Sequence, residues 1–318
     1  MDRPMNERVS PAFPPPQWSA RIERATRYAA IKSWFEGMAY LLPSLLLFGV
    51  FLFYPLGRTV YLSVFHTDYQ GRPTEFAGLA HFAALLQDPS FWHSLKATVL
   101  FAVFTVPTTV IISFSLALLV HEKRKGIGIF RTIFASTMAM SVGVASVIWM
   151  FMYNPAIGVI NRLLSAIGGT PVSWLLDPDT ALYAVAVTTI WMNIGFTFLL
   201  LLAGLENIDP SLYESARVMG MSYWRQLWTV TVPLVSPTLF FVTTVSLIQA
   251  LQTFGQIDFL TKGGPVEATN VFVYAIYREA FVNYQFGPAS AQALLLFLII
   301  ALVTFLQFRF AERKVHYQ

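Results

Sequence analysis

Polar but uncharged side chains interrupt two long apolar runs of this sequence, and they are its best candidates for binding chemistry. One run contains Ser246, Gln249 and Thr253, and the other contains Trp191, Asn193 and Phe196. The first three are spaced i, i+3 and i+7, so a helix would carry them on one face. Hydroxyl and amide groups can hydrogen-bond a polyol or a sugar, and aromatic rings can pack against its C–H faces. The same groups also join membrane helices by hydrogen bonds, so the sequence leaves both roles open.

The residues required for catalytic or metal chemistry are absent or wrongly spaced. The chain contains no cysteine, which excludes disulfides and thiolate metal sites. It has no H-E-x-x-H pair for zinc, no G-x-S-x-G turn for a nucleophile and no G-x-x-x-x-G-K-[ST] loop for phosphate. We therefore predict no catalytic residue, no metal site and no cofactor bound by this chain itself, and we do not expect it to be an enzyme.

Ionisable side chains are also missing from the middle of every long apolar run. Ion-coupled transporters generally place such groups within the membrane, because those groups carry the coupling. A stand-alone ion-coupled transporter is therefore the less favoured alternative, although sodium sites built from carbonyl oxygens stay open. The energy for any transport by this chain must then come from a partner subunit.

The composition is that of a membrane protein. Of the 318 residues 56% are apolar and 12% are charged, whereas soluble chains carry about 25% charge. A span needs about 20 apolar residues, since ~1.5 Å per residue must cross ~30 Å of hydrocarbon. Six uncharged runs reach that length, at 37–57, 97–120, 132–153, 181–205, 226–257 and 280–308. The sequence thus predicts an all-α fold, a polytopic transmembrane helical bundle with six spans.

The distribution of positive charge predicts the orientation. Fifteen of the 21 Lys and Arg residues fall in the two termini and in alternate connecting segments. Because positively charged loops stay in the cytoplasm, we predict cytoplasmic N- and C-termini and a cytoplasmic loop over 206–229. Residues 1–36 are predicted to be a tail with an interfacial amphipathic helix over 18–36, with a soluble basic tail as the alternative. The six-span domain then covers 37–310, and 311–318 form the C-terminal tail.

The loop over 206–229 carries the pattern of a helix held clear of the membrane. Asp209 can accept hydrogen bonds from the first free amides of a helix, and Pro210 suits its first turn. We predict that helix over 211–219. Gly220 can adopt the left-handed conformation that ends it.

A second short helix is predicted to follow over 223–229, capped by Ser222, with Pro233 near the start of the fifth span. The whole segment would then form a helix–turn–helix elbow. The alternative is a linker that lies on the lipid headgroups, but a linker does not require a capped helix and a glycine stop.

The same segment resembles the cytoplasmic loop of ATP-binding-cassette (ABC) importer permeases. That loop reads E-A-A, three residues, G, nine residues, I, one residue, L-P, and this chain has Glu214-Ser215-Ala216, Gly220, Val230 and Val232-Pro233. Ser replaces the second Ala, and Val replaces both Ile and Leu. The resemblance implies a type I ABC importer permease fold. It also implies a coupling helix that docks into a groove on the ATPase subunit, with Tyr213, Glu214, Ser215, Ala216, Gly220 and Pro233 as the coupling residues.

A second resemblance narrows the class to carbohydrate-uptake permeases. It is carried by TKGGPVEATNVFVYAIYREAF at 261–281, FYPLGRTVYLSVF at 53–65 and the segment 77–101. The tail at 307–318 is most similar to the first permease subunit of glycerol-3-phosphate and glycerophosphodiester importers, and these substrates are expected from it. A disaccharide or oligosaccharide, such as a maltose- or trehalose-like sugar, is the alternative. By the same resemblance, the candidate residues of the fifth span match sugar-contacting positions of the maltose permease.

The resemblance also implies the partners. A second permease subunit would complete a heterodimer, two ATPase subunits would bind ATP and Mg, and an extracytoplasmic substrate-binding protein would deliver the substrate. The chain would lie in the cell membrane of a prokaryote as a multi-pass protein in contact with lipid. No feature of the sequence suggests a nucleic-acid partner.

Overall fold

The computed structural model describes Trp34 and residues 36–121 and 125–311. The interfacial helix predicted over 18–36 and the tail predicted over 311–318 lie almost wholly outside these residues. The described residues up to Arg58 form one compact unit and those from Thr59 onward form a second. Every residue of the candidate sites belongs to the second unit.

The described residues are predominantly helical, as the sequence predicts. The helices are α1 (Glu36–Leu62), α2 (Ala80–Gln87), α3 (Pro89–His121), α4 (Ile127–Ala135), α5 (Val142–Met152), α6 (Val159–Ala166), α7 (Pro178–Glu206), α8 (Pro210–Val218), α9 (Tyr223–Leu251), α10 (Gly255–Leu260), α11 (Phe272–Tyr277) and α12 (Phe286–Ala311). A π-helical turn over Arg278–Val282 continues α11. Two short strands, β1 (Phe65–Thr67) and β2 (Pro73–Phe76), form an antiparallel hairpin between α1 and α2.

Five of the described helices are long and apolar enough to cross a membrane, namely α1, α3, α7, α9 and α12. Helices α4 and α5 together would supply a sixth span, but they are bent by 105° at a short break. The described residues thus contain five candidate spans, or six if the bent pair is counted as one. The bent pair is not the single straight helix that the run 132–153 suggests.

Helices α3 and α7 pack along their length and contribute to two buried clusters. Phe101 of α3 and Val185 of α7 belong to one cluster, and Ala117 of α3 and Leu201 of α7 belong to the other. Small and hydroxyl side chains allow the two helices to approach closely. Buried hydroxyls are satisfied within a helix, as where Thr105 donates to the carbonyl of Phe101 at 2.7 Å, or between the two helices, as where Ser113 of α3 donates to the carbonyl of Ile194 on α7 at 3.3 Å.

The break between α4 and α5 has a local cause in the sequence. Ser141 accepts a hydrogen bond from the amide of Val144 at 3.3 Å and so caps α5. A 3₁₀ turn over Ser136–Ala139 precedes it. In that turn the hydroxyl of Thr137 accepts a hydrogen bond from the amide of Gly195 on α7, at 3.0 Å. A Cβ on Gly195 would lie only 2.6 Å from the Thr137 hydroxyl, so glycine is required for this contact.

The fifth span differs from the prediction at both ends. Helix α9 begins at Tyr223 and continues without interruption to Leu251, so the separate helix predicted over 223–229 does not exist. Ser222 is its N-cap residue but makes no side-chain capping bond. The predicted span over 226–257 is also too long, because a break over 252–254 separates α9 from the short helix α10.

Two prolines lie within α9 without ending it. Proline has no N–H and cannot donate the usual bond to the preceding turn. A wider π-helical turn over Leu227–Thr231 lies directly before Pro233. At Pro237 the freed carbonyl of Pro233 instead accepts a hydrogen bond from the hydroxyl of Ser236 at 2.6 Å. The π-helical turn and the Ser236 hydrogen bond compensate for the two prolines and allow one continuous helix where the sequence suggested two.

Candidate functional site

The start of the elbow helix α8 is capped as the sequence predicts. The carboxylate of Asp209 accepts a hydrogen bond from the amide of Ser211 at 2.9 Å, and Pro210 occupies the first turn. This bond to the backbone amide lowers the pKa of the Asp209 carboxyl, because it favours the charged form. The helix covers Pro210–Val218, one residue earlier at each end than the predicted range.

The end of α8 is a Schellman motif centred on Gly220. The amide of Gly220 donates to the carbonyl of Arg217, and the amide of Met221 donates to the carbonyl of Ala216, each at 3.0 Å. Gly220 has φ +70°, which confirms the predicted left-handed conformation. The elbow therefore stops at a defined residue and leads into α9 within a few residues.

One face of α8 is fixed to the helices beneath it. The hydroxyls of Tyr213 and Thr231 lie 3.2 Å apart, which ties the elbow to the first turns of α9. The ring of Tyr213 lies 5.9 Å from the ring of His121 at the end of α3. Burial raises the pKa of Tyr213, since it disfavours the phenolate. Ala216 is only 1% exposed, so this face packs inward.

The opposite face of α8 is free to contact a partner. Of the predicted coupling residues, Glu214, Ser215 and Gly220 are exposed, whereas Tyr213 and Pro233 are half-buried and Ala216 is buried. Three exposed apolar residues extend this face, namely Leu212, Val218 and Met219. Val218 is 90% exposed. The motif match did not point to these three, although the i, i+7 spacing of Leu212 and Met219 could have indicated a shared helical face.

A cavity of about 580 Å³ lies beneath the elbow, between α8, the end of α3 and the start of α9. His121, Arg217, Tyr223 and Gln226 are among the residues that line it. The side chain of Gln226 donates to the carbonyl of Met221 at 2.9 Å and so supports the turn after Gly220. The elbow therefore stands partly clear of the bundle and is not embedded in it.

Of the candidate pathway residues of α7, Trp191 lies where this helix meets α5. Trp191, Asn193 and Phe196 are all half-buried. The ring of Trp191 makes an edge contact with Trp149 of α5, with centroids 5.9 Å apart. Trp191 therefore belongs to an aromatic cluster between α5 and α7.

The candidates of the fifth span do not share one helical face as predicted. Ser246 is buried and Gln249 is exposed, both on α9, but Thr253 lies beyond the end of α9. The hydroxyl of Thr253 donates to the carbonyl of Gln249 at 3.1 Å, so it is engaged in closing the helix end. Gln252, which the i, i+3, i+7 pattern left out, is exposed at the same helix end. Gln249 and Gln252 are thus the accessible amides of this region.

The break after α9 packs against the break before α5. A Cβ on Gly255 would lie 2.8 Å from Val142, and one on Gly143 would lie 3.3 Å from the ring of Phe259. The side-chain amide of Gln256 points to the sulfur of Met192 at 3.9 Å. Helices α5, α7 and α10 therefore meet at one place, which the separate sequence runs did not reveal.

Two further polar atoms at this junction were missed by the sequence reading. The hydroxyl of Ser146 and the indole N–H of Trp149, one turn apart on α5, are buried without a hydrogen-bond partner among the described residues. Within the same part of the chain, no group of three or more His, Cys, Asp or Glu side chains is placed to hold a metal ion. The junction offers neutral hydrogen-bonding groups and aromatic rings.

Comparisons with known proteins agree with this architecture. A family model described as "Binding-protein-dependent transport system inner membrane component" matches residues 38–316. The sn-glycerol-3-phosphate transport system permease protein UgpA of Agrobacterium fabrum is 38% identical over 285 residues, covering 88% of this chain and 96% of the relative. The protein of the same name from Brucella suis is 38% identical over 280 residues, covering 87% and 94%.

Among solved structures, a bacterial alginate ABC transporter in complex with an alginate pentasaccharide-bound periplasmic protein contains a similar chain. The TM-score is 0.79 at 24% sequence identity, over 90% of this chain and 97% of that one. This likeness concerns the fold, and it agrees with the type I permease fold that the elbow motif implies.

Proposed function

This chain belongs to the family of binding-protein-dependent transport system inner membrane components, and we propose from that premise that it conducts glycerol-3-phosphate or a glycerophosphodiester such as glycerophosphocholine into the cell. It is an ABC importer permease subunit and not itself an enzyme. The observation that carries the substrate is the 38% identity to glycerol-3-phosphate permeases over most of both chains. A neutral disaccharide is the second candidate, because the candidate pathway residues Trp191, Asn193, Phe196, Ser246, Gln249 and Thr253 are all uncharged.

The elbow supports the proposed coupling to ATPase subunits. Its inner face is fixed to α3 and α9 through Tyr213, and its outer face exposes Glu214, Ser215 and an apolar patch. A partner that binds the outer face would push on the bundle through a short, capped helix. ATP and Mg would be bound by two such partner subunits, and a second permease subunit would complete the pathway. ATP binding would then switch the bundle between two orientations of its pathway.

The positive charge of the sequence supports a cytoplasmic elbow and cytoplasmic termini. The opposite end, with the β-hairpin and the loop between α10 and α11, would then face the extracytoplasmic binding protein. The membrane is the inner membrane of a prokaryotic cell, in keeping with the family.

The junction of α5, α7 and α10 is the proposed substrate pathway. Asn193 and Gln249 would donate to phosphate or hydroxyl oxygens, while Trp191 and Phe196 would pack against the glycerol backbone. Ser246 is buried and Thr253 closes the end of α9, so their role would be to hold the accessible amides in place. A phosphate without a cationic partner is costly to desolvate, so the pathway would bind weakly and stay hydrated. Selectivity for the phosphate would then reside in the binding protein or the second permease.

The test is ATPase stimulation of the reconstituted complex with its binding protein. Glycerol-3-phosphate, glycerophosphocholine, maltose and trehalose are added in turn. We expect stimulation by the two phosphates, and stimulation by a disaccharide alone would overturn the substrate assignment.

The pathway residues are tested in the same complex. Gln249→Ala and Asn193→Ala should lower substrate uptake and leave basal ATP hydrolysis unchanged, because neither residue lies at the elbow. The exposed Gln87 of α2 offers a matched control as Gln87→Ala, which should transport normally. Unchanged uptake in both variants would show that the amides of Gln249 and Asn193 serve helix packing and not substrate binding.

A further inference from the structure

Arg131, in the middle of α4, joins this helix to the ends of α3 and α7 with one side chain. Its Nη1 donates to Oε1 of Glu206, the last residue of α7, at 2.6 Å. Its Nη2 and Nε donate to the carbonyl oxygen of Val120, at 2.8 and 3.2 Å, and Nη2 also reaches the carbonyl of His121 at 3.5 Å. These carbonyls end α3. The guanidinium therefore holds α3, α4 and α7 together on the side of the elbow.

The position of Arg131 is favourable for a permanent contact. The last carbonyls of a helix lack partners within the helix and carry a partial negative charge. Arginine is suited to such a site, because its planar fork donates in several directions at once and stays charged. The Arg131 side chain is 28% exposed and that of Glu206 is 43% exposed, so the contact is partly shielded from water.

The ends of α3 and α7 that Arg131 contacts also lie next to the elbow. Glu206 lies three residues before the cap Asp209, and His121 lies 5.9 Å from Tyr213 of the elbow. Helix α4, in contrast, is connected along the chain to the substrate pathway. It leads through the Ser136–Ala139 turn to α5, whose side chains Ser146 and Trp149 belong to the junction.

We propose that Arg131 is a positioning residue that makes α4 follow the ends of α3 and α7, so that a displacement of the elbow reaches α5 and the pathway. This inference rests on the proposed docking of ATPase subunits at the elbow, but not on the identity of the substrate. Without Arg131, α3 and α7 would still move with the ATPase subunit, while α4 and α5 would no longer follow them. The transporter would then hydrolyse ATP with less transport.

The first experiment measures this geometry without any substrate. Because the chain has no native cysteine, spin labels can be attached at Leu119→Cys of α3 and Ile129→Cys of α4, both highly exposed. In the complete complex we expect a narrow distance distribution between the labels, with and without ATP. In Arg131→Met the distribution should broaden or shift when ATP is added. If Arg131→Met gives a distance distribution as narrow as that of the native chain, both with and without ATP, the proposal is overturned.

The second experiment measures substrate imported per ATP hydrolysed, with glycerol-3-phosphate as the probe. Arg131→Met should retain its ATPase subunits and its ATP hydrolysis, but import at least about fivefold less per ATP, at the lower end of typical coupling between sites. Arg131→Lys can pair with Glu206 but lacks the fork for the Val120 carbonyl, so it should restore coupling only in part. Glu206→Gln removes one of the contacts and should also have an intermediate effect.

The controls separate coupling from folding. Arg162 of α6 is an exposed arginine remote from the elbow in sequence, and Arg162→Met should import as the native chain does. If Arg131→Met binds its ATPase subunits, hydrolyses ATP and imports substrate all to the same reduced extent, Arg131 has a merely structural role. That result would overturn the proposal. If the native complex does not import glycerol-3-phosphate, the proposed substrate fails, and the label distances still decide the role of Arg131.

Discussion

Substitution of Gly220 provides a graded test of the elbow. The residue has φ +70°, and no atom lies within 4 Å of the position that a Cβ would occupy. Any penalty for alanine here is therefore due to the backbone alone and not to a clash. An L-residue in the left-handed conformation costs about 1–2 kcal/mol, which corresponds to about a 5- to 30-fold change in an equilibrium.

Three substitutions of Gly220 should weaken docking of the ATPase subunit to different degrees. Gly220→Asn should have the least effect, since asparagine tolerates the left-handed conformation. Gly220→Ala should weaken docking by about 5- to 30-fold if all the strain opposes the docked elbow. Gly220→Pro should have the greatest effect, because proline fixes a negative φ and removes the amide that donates to Arg217.

The assay is a titration of the ATPase subunit against the purified permease pair, with membrane insertion checked separately. Gly168→Ala is the matched control, because Gly168 also has a positive φ, +86°, in open space but lies in the loop after α6. That control should dock as the native chain does. Native docking of Gly220→Pro would refute the elbow as the docking element. Equal weakening by Gly168→Ala would show that the effect is general destabilisation.

Three further predictions concern single contacts. Glu214→Lys should abolish retention of the ATPase while insertion is unchanged, and Glu75→Lys, on the exposed strand β2, is the control; retention by Glu214→Lys would exclude a docking role. Gly195→Ala should destabilise the purified complex by about 1–3 kcal/mol through overpacking against Thr137, seen as a lower melting temperature, whereas Gly128→Ala on α4 has open space and should not; equal melting temperatures would contradict the tight packing. The carboxyl pKa of Asp209 is lowered by the Ser211 amide, so its cap is fully formed above the ordinary value of about 3.9 and is lost as the pH falls through the lower folded value. Asp209→Asn keeps an oxygen acceptor and should dock at pH 7, whereas Asp209→Ala should dock more weakly; native docking by the alanine variant would show that the cap is dispensable.

The sequence predicted those features of the elbow that depend on local chemistry. Asp209-Pro210 and Gly220 each have a specific conformational role, and both are found in it. The second helix was wrongly separated from the fifth span, because Pro233 was taken as a boundary. The π-helical turn and the Ser236 hydroxyl compensate for the two prolines, and no pattern of hydrophobicity reports such compensation.

The candidate pathway was harder to predict because it depends on breaks in helices. A long uncharged run gives no indication of where the chain turns, so the runs 132–153 and 226–257 were each read as one span. Local signals were present, in Ser141 before α5 and in Gly255 after the polar residues that end α9. Their meaning depends on contacts between Gly255 and Val142 and between Gly195 and Thr137, which join distant parts of the chain.

The paired glycine contacts between α5 and α10 constrain how substitutions can change the substrate pathway. Gly143 accommodates Phe259 of the other helix, and Gly255 accommodates Val142 in return, so the two short helices interlock. A substitution that enlarges or moves one of them displaces the other, and the effects of changes in such contacting residues are not additive. Altered substrate preference at this junction should therefore arise through compensating pairs of substitutions, with each single change alone less active than either the starting or the final chain.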